Sequence, residues 1–214
     1  MTNIVDEIID YIEENKVSTT EIADVLNKTV LLDEKMASLT PRKRAVGRLF
    51  YAPTFNESNW YLHYFIQNAP KKCVVYAESV NCKSRALFGS LVAKYALLYR
   101  GACGIVTNGF VRDVHTLIKE DYPIWATGTS PIGCINKDTG IDSEYYERRK
   151  KELDGAIIIA DDSGVIVVKK EQLNNDFLEG LKKIEEQEDI WFDCIDRKKY
   201  STFETVCLRK YENE

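Results

Sequence analysis

The sequence predicts a single α/β domain, and three observations support this fold class. Strand-like and helix-like segments alternate through the middle third of the chain, which is typical of parallel strands joined by crossover helices. Hydrophobic residues make up 44% of the 214 positions, enough to bury a sizeable core. The chain contains no internal repeat and no low-complexity tract. We therefore expect one domain over residues 1–214, with short helices over about residues 1–30 and an extension over about residues 189–214.

Two short amphipathic helices are predicted at the start of the chain. Ile4, Ile8 and Ile12 recur at helical spacing, so they share one face of a first helix. Ser18 followed by Glu21 has the spacing of a capping box, which favours the start of a second helix. These helices lead into the segment that carries the first strand.

The central elements follow from the spacing of apolar residues. We predict four strands, with the sequences AVGRLFYA (45–52), CVVYAES (73–79), GIVTNG (104–109) and PIWATG (123–128). Helices are predicted over residues 59–69, 84–101 and about 114–119, and the second of these ends at Gly101. In the first of them, Trp60, Tyr64 and Phe65 are expected to belong to the core.

In the last third of the chain, we predict an irregular segment followed by two strands and a helix. From Ser130 through residue 153 the sequence is charged and poor in aliphatic residues, so we expect an irregular surface excursion or lid. The segment AIIIADDSGVIVV (156–168) indicates two strands, and the acidic residues and Gly164 between them are typical of a tight turn. A helix over about residues 172–188 and an aromatic tail complete the chain.

Composition excludes several classes of function. The net charge of −5 predicts no direct nucleic-acid partner, and no apolar run approaches the roughly 20 residues of a membrane-spanning helix. The acidic N-terminus does not resemble a secretion signal, and the six cysteines form no C-x-x-C pair, so we expect a cytoplasmic protein with reduced thiols. With two histidines, carboxylates must supply most ligands of any metal site.

The stretch GIVTNGFVRDVHTL carries the strongest indication of function. It places Arg112 and Asp113 just beyond the carboxyl end of a strand, where ligands of α/β sheets gather. A guanidinium suits a carboxylate or an enolate oxygen, and a carboxylate is a hard ligand for Mg²⁺ or Mn²⁺. From spacing alone, an Arg-Asp pair before a helix is more often a helix N-cap beside a surface arginine.

Residues 89–131, GSLVAKYALLYRGACGIVTNGFVRDVHTLIKEDYPIWATGTSP, resemble the RraA-like family. This family includes 4-hydroxy-4-methyl-2-oxoglutarate aldolases, oxaloacetate decarboxylases and regulators of ribonuclease activity. Ser18-Thr19 with residues 22–26, and the late strand at residues 164–168, are similar to further family motifs. The resemblance thus extends over nearly the whole chain.

The resemblance implies a swivelling β/β/α domain that assembles as a homotrimer or a dimer of trimers, with sites between subunits. It assigns Arg112 to the pyruvyl group of a small 2-oxo acid and Asp113 to a divalent metal, Mg²⁺ or Mn²⁺. The backbone amides of Gly89, Ser90 and Leu91 would hold the substrate carboxylate, and the start of a helix suits an anion. Glu188 is the candidate acidic residue reaching in from a neighbouring subunit.

These roles predict a metal-dependent lyase that forms a pyruvate enolate by retro-aldol cleavage or decarboxylation. Two alternatives stay open. One is a regulator that binds a ribonuclease without catalysis. Members of that branch lack the aspartate beside the arginine, which this chain has as Asp113. The other is a biosynthetic aldolase with a larger substrate.

This chain departs from the aldolase signature at three points. Twenty-two residues separate Gly89 from Arg112 where the signature has twenty, Thr116 replaces an acid, and Asn108 stands where many members have aspartate. The departures bear on the identity of the substrate more than on metal binding.

Overall fold

The computed structural model describes residues 3–28 and 36–213. The helices are α1 (Ile4–Glu14), α2 (Thr19–Val25), α3 (Trp60–Ile66), α4 (Ser90–Lys94), α5 (Val114–Lys119), α6 (Ser143–Leu153) and α7 (Asn175–Asp196). The strands are β1 (Ala37–Ser38), β2 (Ala45–Tyr51), β3 (Thr54–Phe55), β4 (Cys73–Tyr76), β5 (Ser79–Val80), β6 (Ala86–Phe88), β7 (Gly104–Val111), β8 (Ile124–Thr129), β9 (Ile157–Asp161) and β10 (Gly164–Val168). The predicted mixed α/β class is confirmed.

A mixed, nearly closed, barrel-like sheet organises these elements. Its strand order is β1-β8-β7-β4-β2-β9-β10, with β6 paired to the far end of β7. The strands β2, β4, β7 and β8 run parallel, as the predicted crossovers require. Their carboxyl ends therefore meet at one edge of the sheet. The β9–β10 hairpin pairs antiparallel with β2.

Three clusters of buried hydrophobic residues pack on the sheet. Helices α1, α2 and α7 pack Ile8, Ile12 and Leu181 against β9 and β10. Helices α3 and α4 and the turns around them cover another part of the sheet. Among the described residues, no helix is long and apolar enough to cross a membrane.

The two N-terminal helices form as predicted, and each is capped by a side chain that directly precedes it in the sequence. The Asn3 side chain accepts a hydrogen bond from the Val5 N–H. Ser18 and Glu21 form the expected capping box. Residues 1–2 and 29–30, at the ends of the predicted helical region, lie outside the described residues.

The Asp161–Gly164 turn also behaves as predicted. The Asp161 carboxylate accepts hydrogen bonds from the Thr19 N–H and hydroxyl and from the Ser163 N–H. It therefore connects α2 to the β9–β10 hairpin and has a structural task.

The predicted helix over residues 84–101 is wrong in its first third. Ala86–Phe88 forms β6, a helix begins only at Ser90, and its last turn, Tyr95–Tyr99, is π-helical. The Ala86 N–H donates to Ile132 O, and Cys134 N–H donates to Ala86 O, at 2.8 and 2.9 Å. These bonds to a segment more than forty residues away draw the start of the predicted helix into an extended conformation.

The predicted irregular stretch over residues 130–153 is wrong in its second half, which forms α6. The Asp142 side chain caps this helix by accepting from the Tyr145 N–H. The Tyr146 ring stacks on Tyr51 and on Phe65, at centroid distances of 5.9 and 5.2 Å. Aromatic packing to other elements, rather than an amphipathic pattern, holds α6 on the sheet.

A buried ion pair fastens α6 to the end of β4. Glu78, 4% exposed, accepts hydrogen bonds from Arg149 at 2.7 Å and from the hydroxyls of Tyr51 and Tyr76. Burial and hydrogen bonding to Glu78 raise the pKa of Tyr51 far above its usual value. The buried carboxylate of Glu78 thus has a cationic partner in Arg149, as the burial of a charge requires.

The tail and one aromatic surface also differ from the predictions. Helix α7 continues to Asp196, eight residues beyond the predicted end at 188. Trp60 and Tyr64, expected in the core, are 45% and 57% exposed. Both lie on the outer side of α3, whereas Leu62 and Ile66 fill its buried side.

We predict that Arg149→Ala destabilises the fold by about 3 to 5 kcal/mol, because it leaves Glu78 charged and unpaired in the interior. The free energy of unfolding, measured by urea denaturation, checks this. Lys151→Ala, at an exposed position of the same helix, is the control and should change it by less than about 0.5 kcal/mol. Equal effects of the two substitutions would contradict a stabilising role for the buried pair.

Candidate functional site

Arg112 and Asp113 lie at the carboxyl end of β7, as predicted. The strand ends at Val111, and α5 begins at Val114. The Arg112 N–H donates to Phe88 O at 3.0 Å, so the end of β6 holds the backbone of the pair. The two side chains thus project from the sheet edge at which the parallel strands end.

The backbone of Asp113 is left-handed, with φ 58° and ψ 31°, a conformation that aspartate tolerates better than most residues. Asp113 occupies the position before α5, yet its side chain makes no hydrogen bond to that helix. The structure therefore does not support the alternative interpretation, in which the Asp113 carboxylate caps α5.

Instead, the Asp113 carboxylate turns toward the start of α4. Its Oδ2 accepts hydrogen bonds from the Ser90 N–H at 3.0 Å and from the Ser90 hydroxyl at 3.2 Å. Both bonds go to one oxygen. Within residues 3–28 and 36–213, Oδ1 receives no hydrogen bond, so one carboxylate oxygen is available to a ligand.

Two glycines make room for the pair. A Cβ at Gly89 would lie 2.2 Å from the Asp113 Oδ2 atom, and a Cβ at Gly133 would lie 2.7 Å from the Arg112 Nη1 atom. Side chains at these positions would collide with the carboxylate and the guanidinium. Gly89 thus has a steric reason to be glycine in addition to its place at the start of α4.

A small open cavity of about 90 Å³ adjoins the pair. Its wall is built from α3, β6, the start of α4, the end of β7 and the segment after Gly133, and it includes Asn59, His63, Gly89, Leu91, Arg112, Asp113, Gly133 and Cys134. In the described part of the chain, no carboxylate pairs with the Arg112 guanidinium. The cavity therefore combines a cation without a protein counter-ion and a carboxylate with one open oxygen.

Asn59 and His63 were not predicted as site residues. The Asn59 side chain is almost fully buried and donates to Leu87 O at 2.9 Å. Its Oδ1 has no hydrogen-bond donor among the described residues. Desolvation lowers the pKa of His63, which favours a neutral imidazole at pH 7. The one sequence signal was their spacing of four, which places them on the same side of α3.

The three residues predicted to hold a carboxylate lie together at the start of α4. Leu91, 77% exposed, borders the cavity with Gly89. The Ser90 N–H already binds Asp113, so an anion at this point would compete with that bond. The substrate-binding role of Gly89, Ser90 and Leu91 stays a prediction.

Glu188 does not reach the cavity of its own chain. It lies on α7, where burial and the nearby carboxylates of Glu21 and Asp24 raise its pKa. The cavity wall contains no residue of α7. A role of Glu188 at the site of a second subunit stays a prediction.

Two of the three departures from the aldolase pattern, Asn108 and Thr116, have separate structural tasks. Asn108 Oδ1 accepts from the Ser79 N–H at 2.7 Å, which ties β7 to β5. Thr116 is exposed on α5 and lines a groove with Ser90 and Lys94. Neither residue belongs to the cavity wall beside Arg112.

The donors at the cavity suit one kind of metal site. In the chain as described, no group of three or more His, Cys, Asp or Glu side chains is placed to hold an ion, which argues against a closed zinc site. Mg²⁺ keeps several waters and often uses one or two carboxylates. The open Oδ1 of Asp113 fits such a water-rich ion.

We predict that Gly89→Ala displaces the Asp113 carboxylate, because the new methyl group would overlap Oδ2. The free energy of unfolding should fall by about 1 to 3 kcal/mol. Urea denaturation measures it, and Lys94→Ala, at an exposed position of α4, is the control with an expected change below about 0.5 kcal/mol. Unchanged stability of Gly89→Ala would show that the carboxylate is not held against α4.

The sequence is similar to one protein family and to a relative from an archaeon. The sequence profile of the RraA-like family, described as Aldolase/RraA, matches residues 19–167. An uncharacterized protein of Methanocaldococcus jannaschii is 32% identical over 110 residues, which cover 48% of this chain and 49% of that protein. The matched region thus spans about half the length of this relative.

Two solved structures share the fold. A protein from Pseudomonas syringae pv. tomato matches with a TM-score of 0.71 and 21% identity, over 96% of this chain and 98% of that one. The RNA-processing inhibitor RraA from Thermus thermophilis matches with a TM-score of 0.55 and 20% identity, over 70% and 91%. At these identities the likeness concerns the fold alone.

Proposed function

This chain belongs to the RraA-like family, and on that premise we propose that it is a divalent-metal-dependent lyase that cleaves a carbon–carbon bond of a small 2-oxo acid. The family includes metal-dependent aldolases and decarboxylases as well as ribonuclease inhibitors. One observation carries the choice of a lyase. Asp113 keeps one carboxylate oxygen open beside a cavity that it shares with the Arg112 guanidinium.

Each member of the pair has a distinct task in this proposal. The Arg112 guanidinium binds the pyruvyl part of the substrate through its planar set of N–H donors. Asp113 would hold Mg²⁺ or Mn²⁺, while the bonds from Ser90 to Oδ2 keep the carboxylate oriented. When bound, such an ion supplies Lewis-acid stabilisation of the enolate oxygen.

The bond that breaks lies between C3 and C4 of the 2-oxo acid. In a retro-aldol reaction a general base takes the proton of the C4 hydroxyl and the C4 fragment leaves as a carbonyl compound; in a decarboxylation the C4 carboxylate leaves as CO₂. The electron pair stays on the pyruvate enolate, and Arg112 stabilises its negative charge. A proton then returns to C3, and the neutral imidazole of His63 is our candidate to relay it.

We predict that the chain releases pyruvate from oxaloacetate or from 4-hydroxy-4-methyl-2-oxoglutarate when Mg²⁺ or Mn²⁺ is present. EDTA should abolish turnover, and Asp113→Asn should lower kcat/KM by about 100-fold or more, because it removes the charge that holds the ion. Pyruvate formation coupled to NADH oxidation by lactate dehydrogenase measures this, after subtraction of the metal-only rate.

Asp121→Asn is the matched control. Asp121 follows α5, whereas Asp113 precedes that helix. Like Asp113, Asp121 is exposed and has a left-handed backbone, with φ 57°. It lies outside the cavity. This variant should keep the rate of the unchanged chain. Turnover that survives both EDTA and Asp113→Asn would contradict the metal mechanism. No turnover on any 2-oxo acid by a folded chain would favour a binding role, or a larger substrate of a specialised pathway.

RraA-like proteins are often oligomeric, and we propose that this chain forms a homotrimer or a dimer of trimers. The support is an exposed apolar strip beside the cavity. Along α4 and the π-helical turn after it, Leu91, Tyr95, Leu98 and Tyr99 recur at helical spacing and are 39% to 77% exposed. Trp60 and Tyr64 are further exposed aromatic residues on α3, and His63 and Ile66 of that helix line a groove with Leu91 and Tyr95. Patches of this kind mark protein contacts.

We predict that the paired substitution Leu98→Asp and Tyr99→Asp breaks the assembly, because it places two charges in an apolar interface. Sedimentation velocity should give three or six times the mass of one chain before the change and a smaller species after it. Phe203→Asp, at an exposed apolar position of the C-terminal segment, is the control. A monomeric unchanged chain would overturn the assembly.

A further inference from the structure

The cavity beside Arg112 adjoins a larger groove between α3 and α4. This groove, of about 340 Å³, is lined by His63, Ile66, Gln67, Leu91, Val92 and Tyr95. Three of these residues, His63, Leu91 and Val92, also line the cavity. A ligand held at Arg112 can therefore extend along this shared wall into the groove.

The side chains of the groove are apolar or uncharged. Ile66 and Val92 are buried, and Leu91 is exposed. Desolvation lowers the pKa of His63, so its imidazole is neutral at pH 7. Gln67 and Tyr95 add an amide and a phenol ring. A wall of this composition suits an apolar part of a ligand.

The cavity offers one positive charge. Within the described ranges 3–28 and 36–213, Arg112 is the one cationic side chain of its wall, and Asp113 is the one anionic side chain. In the proposed lyase, both serve the pyruvyl half of the substrate. A second carboxylate, beyond the bond that breaks, would have no cation of its own in this wall. Burial of an unpaired charge is unfavourable.

The cations nearest to this wall are engaged elsewhere. The Arg85 guanidinium donates to the Glu57 carboxylate at 2.6 Å and to Gly133 O at 3.0 Å, so its charge already has a partner. Lys94 lines a different groove, which also contains Glu120. Neither Arg85 nor Lys94 belongs to the wall of the cavity or of the groove between α3 and α4.

We propose that the substrate is a 4-hydroxy-2-oxo monocarboxylic acid, and that its C4 carries an uncharged, apolar group that lies in the groove between α3 and α4. This inference rests on the proposed lyase and narrows its substrate. Oxaloacetate and 4-hydroxy-4-methyl-2-oxoglutarate each carry a further carboxylate, so we expect them to be the poorer substrates.

The reaction balances without an oxidant or a second reactant. The neutral imidazole of His63, which borders both spaces, takes the proton of the C4 hydroxyl. The C3–C4 bond breaks, its electron pair passes to the pyruvate enolate, and the C4 fragment leaves as an apolar aldehyde. Return of the proton to C3 gives pyruvate. One substrate molecule thus yields one pyruvate and one aldehyde.

The groove also adjoins the surface assigned above to the contact between subunits. Leu91 and Tyr95 belong both to the groove and to the exposed apolar strip. A neighbouring subunit on that strip would cover the groove and shield an apolar group from water. A cation supplied by that subunit would instead favour a second carboxylate, and the measurements below distinguish the two cases.

The first test measures binding and is independent of turnover. 2-Oxoglutarate and 5-methyl-2-oxohexanoate differ in the group on C4, which is a carboxylate in the first and an isopropyl group in the second. Neither has the C4 hydroxyl that retro-aldol cleavage requires. In isothermal titration calorimetry of the full chain with Mg²⁺, 5-methyl-2-oxohexanoate should bind about tenfold more tightly or better. Equal affinities, tighter binding of 2-oxoglutarate or no binding of either acid would overturn the proposal.

A variant places the C4 group in the groove. Gln67 is exposed, and its side chain donates to Tyr64 O of its own helix at 2.7 Å, so Gln67→Lys adds a cation to the groove without disturbing the core. It should tighten the binding of 2-oxoglutarate about threefold or more. Asn68→Lys is the matched control, because it adds the same charge at the next exposed position, outside the groove. Equal effects of the two substitutions would overturn the placement.

A second readout uses turnover. 4-Hydroxy-5-methyl-2-oxohexanoate and 4-hydroxy-2-oxoglutarate are the cleavable counterparts of the two acids, and chromatography measures the pyruvate released. We expect kcat/KM to be about tenfold higher or more for the first compound. A higher value for 4-hydroxy-2-oxoglutarate would overturn the assigned substrate class. Absence of turnover on both compounds is a failure of the proposed lyase, and calorimetry still decides which class of acid the site binds.

Discussion

The contact between the Asp113 carboxylate and Ser90 is the constraint on which the site depends. It joins the end of β7 to the start of α4 through two hydrogen bonds to one oxygen, and it leaves the other oxygen open. The left-handed backbone of Asp113 turns the side chain away from α5. Gly89 allows the approach, since a Cβ there would overlap Oδ2. A helix cap of the ordinary kind would instead occupy the carboxylate with α5.

Long-range bonds then arrange the rest of the cavity around this contact. Phe88 O holds the Arg112 backbone, Gly133 lies against the guanidinium, and Asn59 bonds Leu87 O. The buried Glu78–Arg149 pair fastens α6 over the ends of β2 and β4. The site is therefore a product of the sheet edge and its covering helices, and no single loop contains it.

The sequence predicted the parts whose signals are local. The apolar runs of β2, β4, β7 and β8 and the capping box of α2 are readable from neighbouring residues, and so is the position of Arg112 and Asp113 after β7. It did not predict β6, because three residues become a strand only by pairing with β7 and residues 132–134. It missed α6 because stacking on Tyr51 and Phe65 is a contact between distant segments. Asn59, His63 and Cys134 were missed for the same reason.

The most direct test of the central claim is a crystal structure of the chain soaked with Mn²⁺ and pyruvate, with anomalous scattering used to locate the metal. We expect Mn²⁺ bonded to Asp113 Oδ1 at about 2.0 to 2.6 Å, the range of hard divalent ions with oxygen ligands, with the pyruvate carboxylate facing Arg112. Mn²⁺ bound elsewhere, with Asp113 still held by Ser90 and the cavity empty, would contradict this expectation.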